Sequence, residues 1–186
     1  MKNKSFLRWV LLPGLLLVVH PSLPLAQDSG DVIVKRGTIH DDLYVAGGNV
    51  KILADVDGDV AAAGGRVTVD RLVKGDVIVA GGFVDVSGQV LDDVRAAGGY
   101  VILDGQIGGD AISAGGKVTV GPATEIGGRA WLAGGDVDMA GRVGRDFKAA
   151  AGSITISGQV QGDVELVARE IEVLPTARIA GNLTYR

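Results

Sequence analysis

Ala-Gly-Gly recurs at residues 46–48, 63–65, 80–82, 97–99 and 114–116, a constant step of 17 residues. It returns at 133–135 and, degenerate, as Ala150-Ala151-Gly152. A chain that repeats at this interval is confined to solenoid architectures, because each unit is one supersecondary piece that buries a core only by stacking on its neighbours. What repeats is a set of structural residues without accompanying chemistry, which points away from an enzyme.

The full unit is longer than the tripeptide. Each copy opens on a Gly-Asp-like pair, as at Gly58-Asp59, Gly75-Asp76, Asp92-Asp93, Gly109-Asp110 and Gly162-Asp163. Two units are longer by two residues, and both carry a Pro-containing stretch, Gly121-Pro122-Ala123-Thr124 and Leu174-Pro175-Thr176-Ala177. Proline cannot donate to a central ladder, so these stretches mark a corner of the coil.

Within each unit the apolar residues fall in pairs two apart: Val77 and Val79, then Val84 and Val86, then Val90. Period two is a strand signal, and Val and Ile are strand formers. The pattern predicts three short strands per unit, with glycines at the corners, some of them at positive φ. Coils that each rise by one strand spacing of about 4.8 Å give a rod on the order of 40 Å long. The predicted fold is therefore all-β: a single parallel β-helix with 17–19 residues per coil and eight to nine coils. The departure from a strict six-residue rhythm favours the right-handed form. Residues 41–186 form the repeat domain, preceded by a lead-in and partial coil over 27–40. Thirty glycines supply corners, and three Phe and two Trp leave the interior to small aliphatic residues.

The first 26 residues differ in kind. Lys2, Lys4 and Arg8 precede an apolar run from Trp9 to Val19, and Leu25-Ala26 closes a short small-residue stretch. This is the layout of a secretory signal peptide; the run is short for a span, which needs about 20 residues. Pro24 makes the cleavage motif imperfect, so an uncleaved anchor is the alternative. The expected location is the periplasm or cell surface, with no integral span in the remaining chain. Cysteine is absent, which excludes disulfides and a lipoprotein anchor. Without the three leader cations, 15 Lys and Arg stand against 22 Asp and Glu, a net charge of −7. That balance is a poor match to nucleic acid or an anionic lipid surface.

One carboxylate per coil forms a column: Asp42, Asp59, Asp76, Asp93, Asp110, Asp146 and Asp163. Calcium takes several oxygen ligands, which makes this column a candidate cation site. The alternative is a corner ladder in which each carboxylate accepts backbone N–H bonds, and Arg129 and Asn182 within the series favour it. No metal or cofactor is expected. Catalysis has little support, since the one histidine after the leader is His40, beside Asp41 and Asp42.

Outward positions carry more information. Phe83 and Tyr100 stand on adjacent coils, with Ile102 close by, and Ile78 and Trp131 occupy another outward column. Large apolar residues on an otherwise polar rod suggest a lateral contact patch. A regular Thr lattice of the ice-binding kind is broken by charges. The ends supply the second candidate surface. Leu183 and Tyr185 fall in the inward register of a partial last coil, and Val32 and Val34 form an apolar pair at the other end. Open strand edges invite pairing, so the expected partner is another copy.

The units Gly75-Asp76-Val77-Ile78-Val79 and Ser87-Gly88-Gln89-Val90 resemble those of bactofilins, polymer-forming bacterial cytoskeletal proteins, over about residues 31–186. The resemblance implies a right-handed β-helix that polymerises end to end without nucleotide. Typical bactofilins are cytoplasmic, whereas this chain reads as exported, so a non-enzymatic scaffold of the cell envelope is the expected function. An exported monomeric module binding cell-wall glycan or a protein partner through its aromatic face is the alternative.

Overall fold

The computed structural model describes residues 28–186, with side chains from Ile33 onward except that of residue 34. The leader segment lies outside the described residues. Among those described there is no helix. One long strand per coil stacks on the next in parallel: Asp28–Ile39, Leu43–Val56, Val60–Val69, Val77–Val86, Val94–Leu103, Ala111–Val120, Ala130–Met139, Phe147–Ile156, Val164–Val173 and Leu183–Tyr185. From Gln89 onward a two-residue strand closes each coil, beginning with Gln89–Val90 and Gln106–Ile107 and ending with Arg178–Ile179. These short strands form a second, six-stranded parallel sheet. The result is a β-solenoid of about nine turns, as the repeat requires.

Register follows the repeat residue for residue. Val77 pairs with Val60 below and Val94 above, and Gly81 with Gly64 and Gly98. The first strand joins the same ladder, with Ser29 opposite Ala46 and Gly30 opposite Gly47. Residues 28–39 are thus a further, degenerate copy of the unit.

The regular 17-residue coil turns five residues inward. In the coil beginning at Val77 these are Val77, Val79, Val84, Val86 and Val90, all at 2 % exposure or less. Fully burying one such side chain contributes roughly 1.5–3 kcal/mol, and the columns fuse these small sets into one core from Ile33 to Leu166. Phe147, the largest buried side chain, fits because small residues adjoin it. Ala130 lies beneath it in the ladder, and Ala149 is its inward neighbour along the strand. The prolyl inserts form the expected corners. Thr124 N–H donates to the Gly121 carbonyl at 3.0 Å, and the buried Thr124 hydroxyl donates to the Leu103 carbonyl at 2.6 Å.

Two expectations need correction. The first two predicted strands of each unit are one continuous strand, ten residues long from Val60–Val69 to Val164–Val173, that bends at Ala-Gly-Gly while its ladder continues. Inward residues switch phase across the bend, from Val77 and Val79 to Val84 and Val86, and the second glycine drops out of the register. The corner glycines also do not supply positive φ: among the described residues only Gly37 does, at 91°. Their function is close approach. A Cβ on Gly115 would lie 2.6 Å from the Gly98 carbonyl oxygen and 3.4 Å from a Val101 methyl. Coils superpose at one strand spacing, so the bend brings backbone against the place a side chain would occupy. Ala151 and Ala168 hold this position in the last two coils, so those corners accommodate a methyl.

Alanine normally improves on glycine in a strand by roughly 0.5–1 kcal/mol. Gly115→Ala is expected to reverse that sign and lower the melting temperature; a rise would show that the corner glycine is not set by contact between coils.

Candidate functional site

The Asp column is a hydrogen-bonded ladder. Asp42 Oδ1 accepts the Asp59 N–H at 2.9 Å, Asp59 that of Asp76 at 2.8 Å, Asp76 that of Asp93 at 3.0 Å, and Asp93 that of Asp110 at 2.7 Å. Asp110 accepts from Arg129, Asp146 from Asp163, and Asp163 from Asn182. The glycine before most of these aspartates has a matching cause. A Cβ on Gly75, Gly109 or Gly128 would collide with the carboxylate reaching up from the coil below. Arg145 replaces that glycine in the coil above Arg129, where no carboxylate reaches up. Asp92 is the exception, standing above Asp76.

Asp76, Asp92 and Asp93 are the carboxylates that come close enough to share an ion among the described residues. Arg95 already bridges two of them, at 2.9 Å to Asp76 and 2.9 Å to Asp93. His40 sits on the surface, its Nδ1 2.7 Å from Asp57, which also pairs with Lys74 at 2.8 Å. Those partners, Lys74 first, hold the Asp57 carboxyl below its ordinary range. The Ser113 hydroxyl is buried in the core without a hydrogen-bond partner.

The outward residues divide between faces. Ile78 and Trp131 share one column, whose ladder runs Tyr44, Ala61, Ile78, Arg95, Ile112, Trp131, Lys148, Glu165. The next outward column on that face is almost entirely alanine, Ala46 to Ala150, ending in Val167. Two residues apart on one strand, the columns lie side by side. Ile78 is 51 % exposed and Trp131 43 %. A depression of about 410 Å³ runs along the alanines beside Ile112 and Trp131, reaching Lys148 and Val167. Phe83, Tyr100 and Ile102 lie beyond the Ala-Gly-Gly bend, on the neighbouring face. Arg66 stacks over Phe83 at 4.2 Å, while Tyr100 stands exposed. The five residues therefore form two separate groups. The alanine column completes the first group; its signal was the repeated Ala before Gly-Gly, which also reads as a corner residue.

At the ends, Leu183 pairs with Val164 and Tyr185 with Leu166, continuing two core columns. Leu183 is 39 % exposed and Tyr185 67 %, against 1 % and 0 % for their partners. At the other end Ile33 takes the inward place opposite Val50. Val32 and Val34 pair with Asn49 and Lys51, and their side chains lie outside the described residues.

The chain matches no protein-family model, no curated protein and no solved structure.

Removing one ladder carboxylate orphans a backbone N–H, at about 1 kcal/mol. Asp59→Ala should therefore lower the melting temperature clearly, and Asp59→Asn should retain most of the stability through its amide oxygen. Chelator should change neither; calcium-dependent melting would contradict the ladder's sufficiency.

Asp85 points outward from the second face but is half-buried, and this burial raises its carboxyl above the ordinary range, with Asp104 and Asp70 adding to it and Ser87 opposing. A raised folded-state value means that ionisation costs stability above it. Asp85→Asn should raise the melting temperature at pH 7, and the gain should vanish as acidification protonates Asp85. A gain that persists undiminished in acid would remove the burial explanation.

Proposed function

We propose that this chain is a non-enzymatic, self-associating structural scaffold of the bacterial cell envelope, polymerising end to end without nucleotide as bactofilins do. The observation that carries the reading is the continuity of the core columns into exposed residues. Val173, Leu183 and Tyr185 hold inward register positions on the last described turns and are open to solvent. A further coil covers such residues, and in this reading a second molecule supplies it.

The energetics fit assembly without a cofactor. Stacking a coil adds backbone ladder bonds and apolar burial together, which is the same nearest-neighbour contact that holds each molecule together. The signal-peptide layout of residues 1–26 in the sequence fits an envelope setting. The depression beside Trp131 favours the second reading, a monomeric binding module for glycan or a protein partner.

Sedimentation of purified protein separates the two. The wild-type chain should form concentration-dependent polymers, and Leu183→Arg should abolish them while the β signal in circular dichroism stays intact. A wild type that remains monomeric at high concentration favours the binding module. Polymers unaffected by Leu183→Arg would place the contact elsewhere.

A further inference from the structure

The face carrying Trp131 has relief as well as apolarity. Its ridge is the column containing Ile78, Ile112 and Trp131. Its trough is the neighbouring alanine column, with Ala80, Ala114 and Ala133 at the same coil heights. The charged residues on the ridge are paired: Arg95 is held from the side by Asp76 and Asp93, and Lys148 pairs along the ridge with Glu165 at 2.9 Å. The next outward face, beyond the bend, carries charged residues such as Arg66, Lys117, Asp136 and Asp138.

We propose that this face pairs laterally with the same face of a second copy, the two rods parallel. Three observations select that occupant. Ridge and trough rise by the same step, one strand spacing per coil, and the 19-residue coil displaces both equally, since Ile112 to Trp131 and Ala114 to Ala133 span the same insert. A partner that fits along the whole face must share that period, and a second copy does. A two-fold axis parallel to the rods sets each ridge in the partner's trough at equal height, Trp131 over Ala133 and Ile112 over Ala114. A two-fold axis across the rods sets ridge against ridge and leaves both troughs empty.

Area sets the strength. Eight coils at about 4.8 Å and two columns about 6.6 Å apart give a patch on the order of 250 Å² per copy. Two such patches fall short of the 1,200–2,000 Å² of a stable standard interface. The contact is weak between single molecules and gains strength when several copies are joined along the rod. It does not depend on end-to-end assembly for its existence.

The chain's lack of cysteine makes cross-linking direct. Ala63 and Val167 lie on the trough six coils apart, about 29 Å along the rod. Full chains carrying Ala63→Cys or Val167→Cys are treated singly and mixed with a short bis-maleimide. A Gln106→Cys chain, with its thiol on the third face, is the control. Parallel pairing gives like-with-like dimers of each variant, several-fold above the control, with no 63–167 product. Adding Ala114→Glu should abolish them without changing circular dichroism. Repeating the measurement in Leu183→Arg protein separates lateral from end-to-end association. A 63–167 product would overturn the parallel arrangement. Absence of cross-linking above control would overturn the pairing, leaving the face to a bilayer or another protein.

Discussion

Every coil in this molecule has to superpose on the next at a single strand spacing. That one constraint turns each position of the repeat into a column and decides what each column tolerates. Inward columns take Val, Ile, Leu and Ala because the prism they share is narrow. Phe147 enters only where Ala130 and Ala149 make room. Corner columns take glycine because neighbouring backbones meet there. The Asp column exists because a side chain of that length spans one spacing to the next N–H.

The same constraint places like residues above like, so polar side chains of the described residues are drawn into repeated contacts between coils. The carboxylates are engaged with backbone N–H groups, and Arg95 bridges two of the three that cluster, Asp76 and Asp93. What a stack offers is extended regularity along its faces and unsatisfied pairing at its edges. Both are interaction surfaces, which is why the functional reading rests on association.

Much of the fold was legible in the sequence. The 17-residue step, the inward pairs and the prolyl corners give the solenoid and its register, and the outward column from Tyr44 to Glu165 falls where alternation puts it. The bend was not legible in detail. Ala-Gly-Gly signals a corner, but whether the ladder continues through it depends on how closely successive backbones stack. Residues 28–39 fall in the stretch read as a lead-in and partial coil, where Ser29-Gly30-Asp31 obscures the Ala-Gly-Gly signature although Gly30 still pairs with Gly47. The candidate surface was half legible: large residues such as Ile78 and Trp131 draw attention, whereas an alanine column gains meaning only beside a ridge. Val32 and Val34 stood out as apolar, and register gave the inward place to Ile33 between them.

The central claim is that the core columns continue from one molecule into the next. Cryo-electron microscopy of the assembled protein tests it most directly, by tracing strand spacing along the axis. The account predicts filaments whose spacing of about 4.8 Å runs unbroken through the junctions, with Leu183 and Tyr185 buried beneath the next coil. Monomers at every concentration, or filaments whose junctions interrupt that spacing, would contradict it.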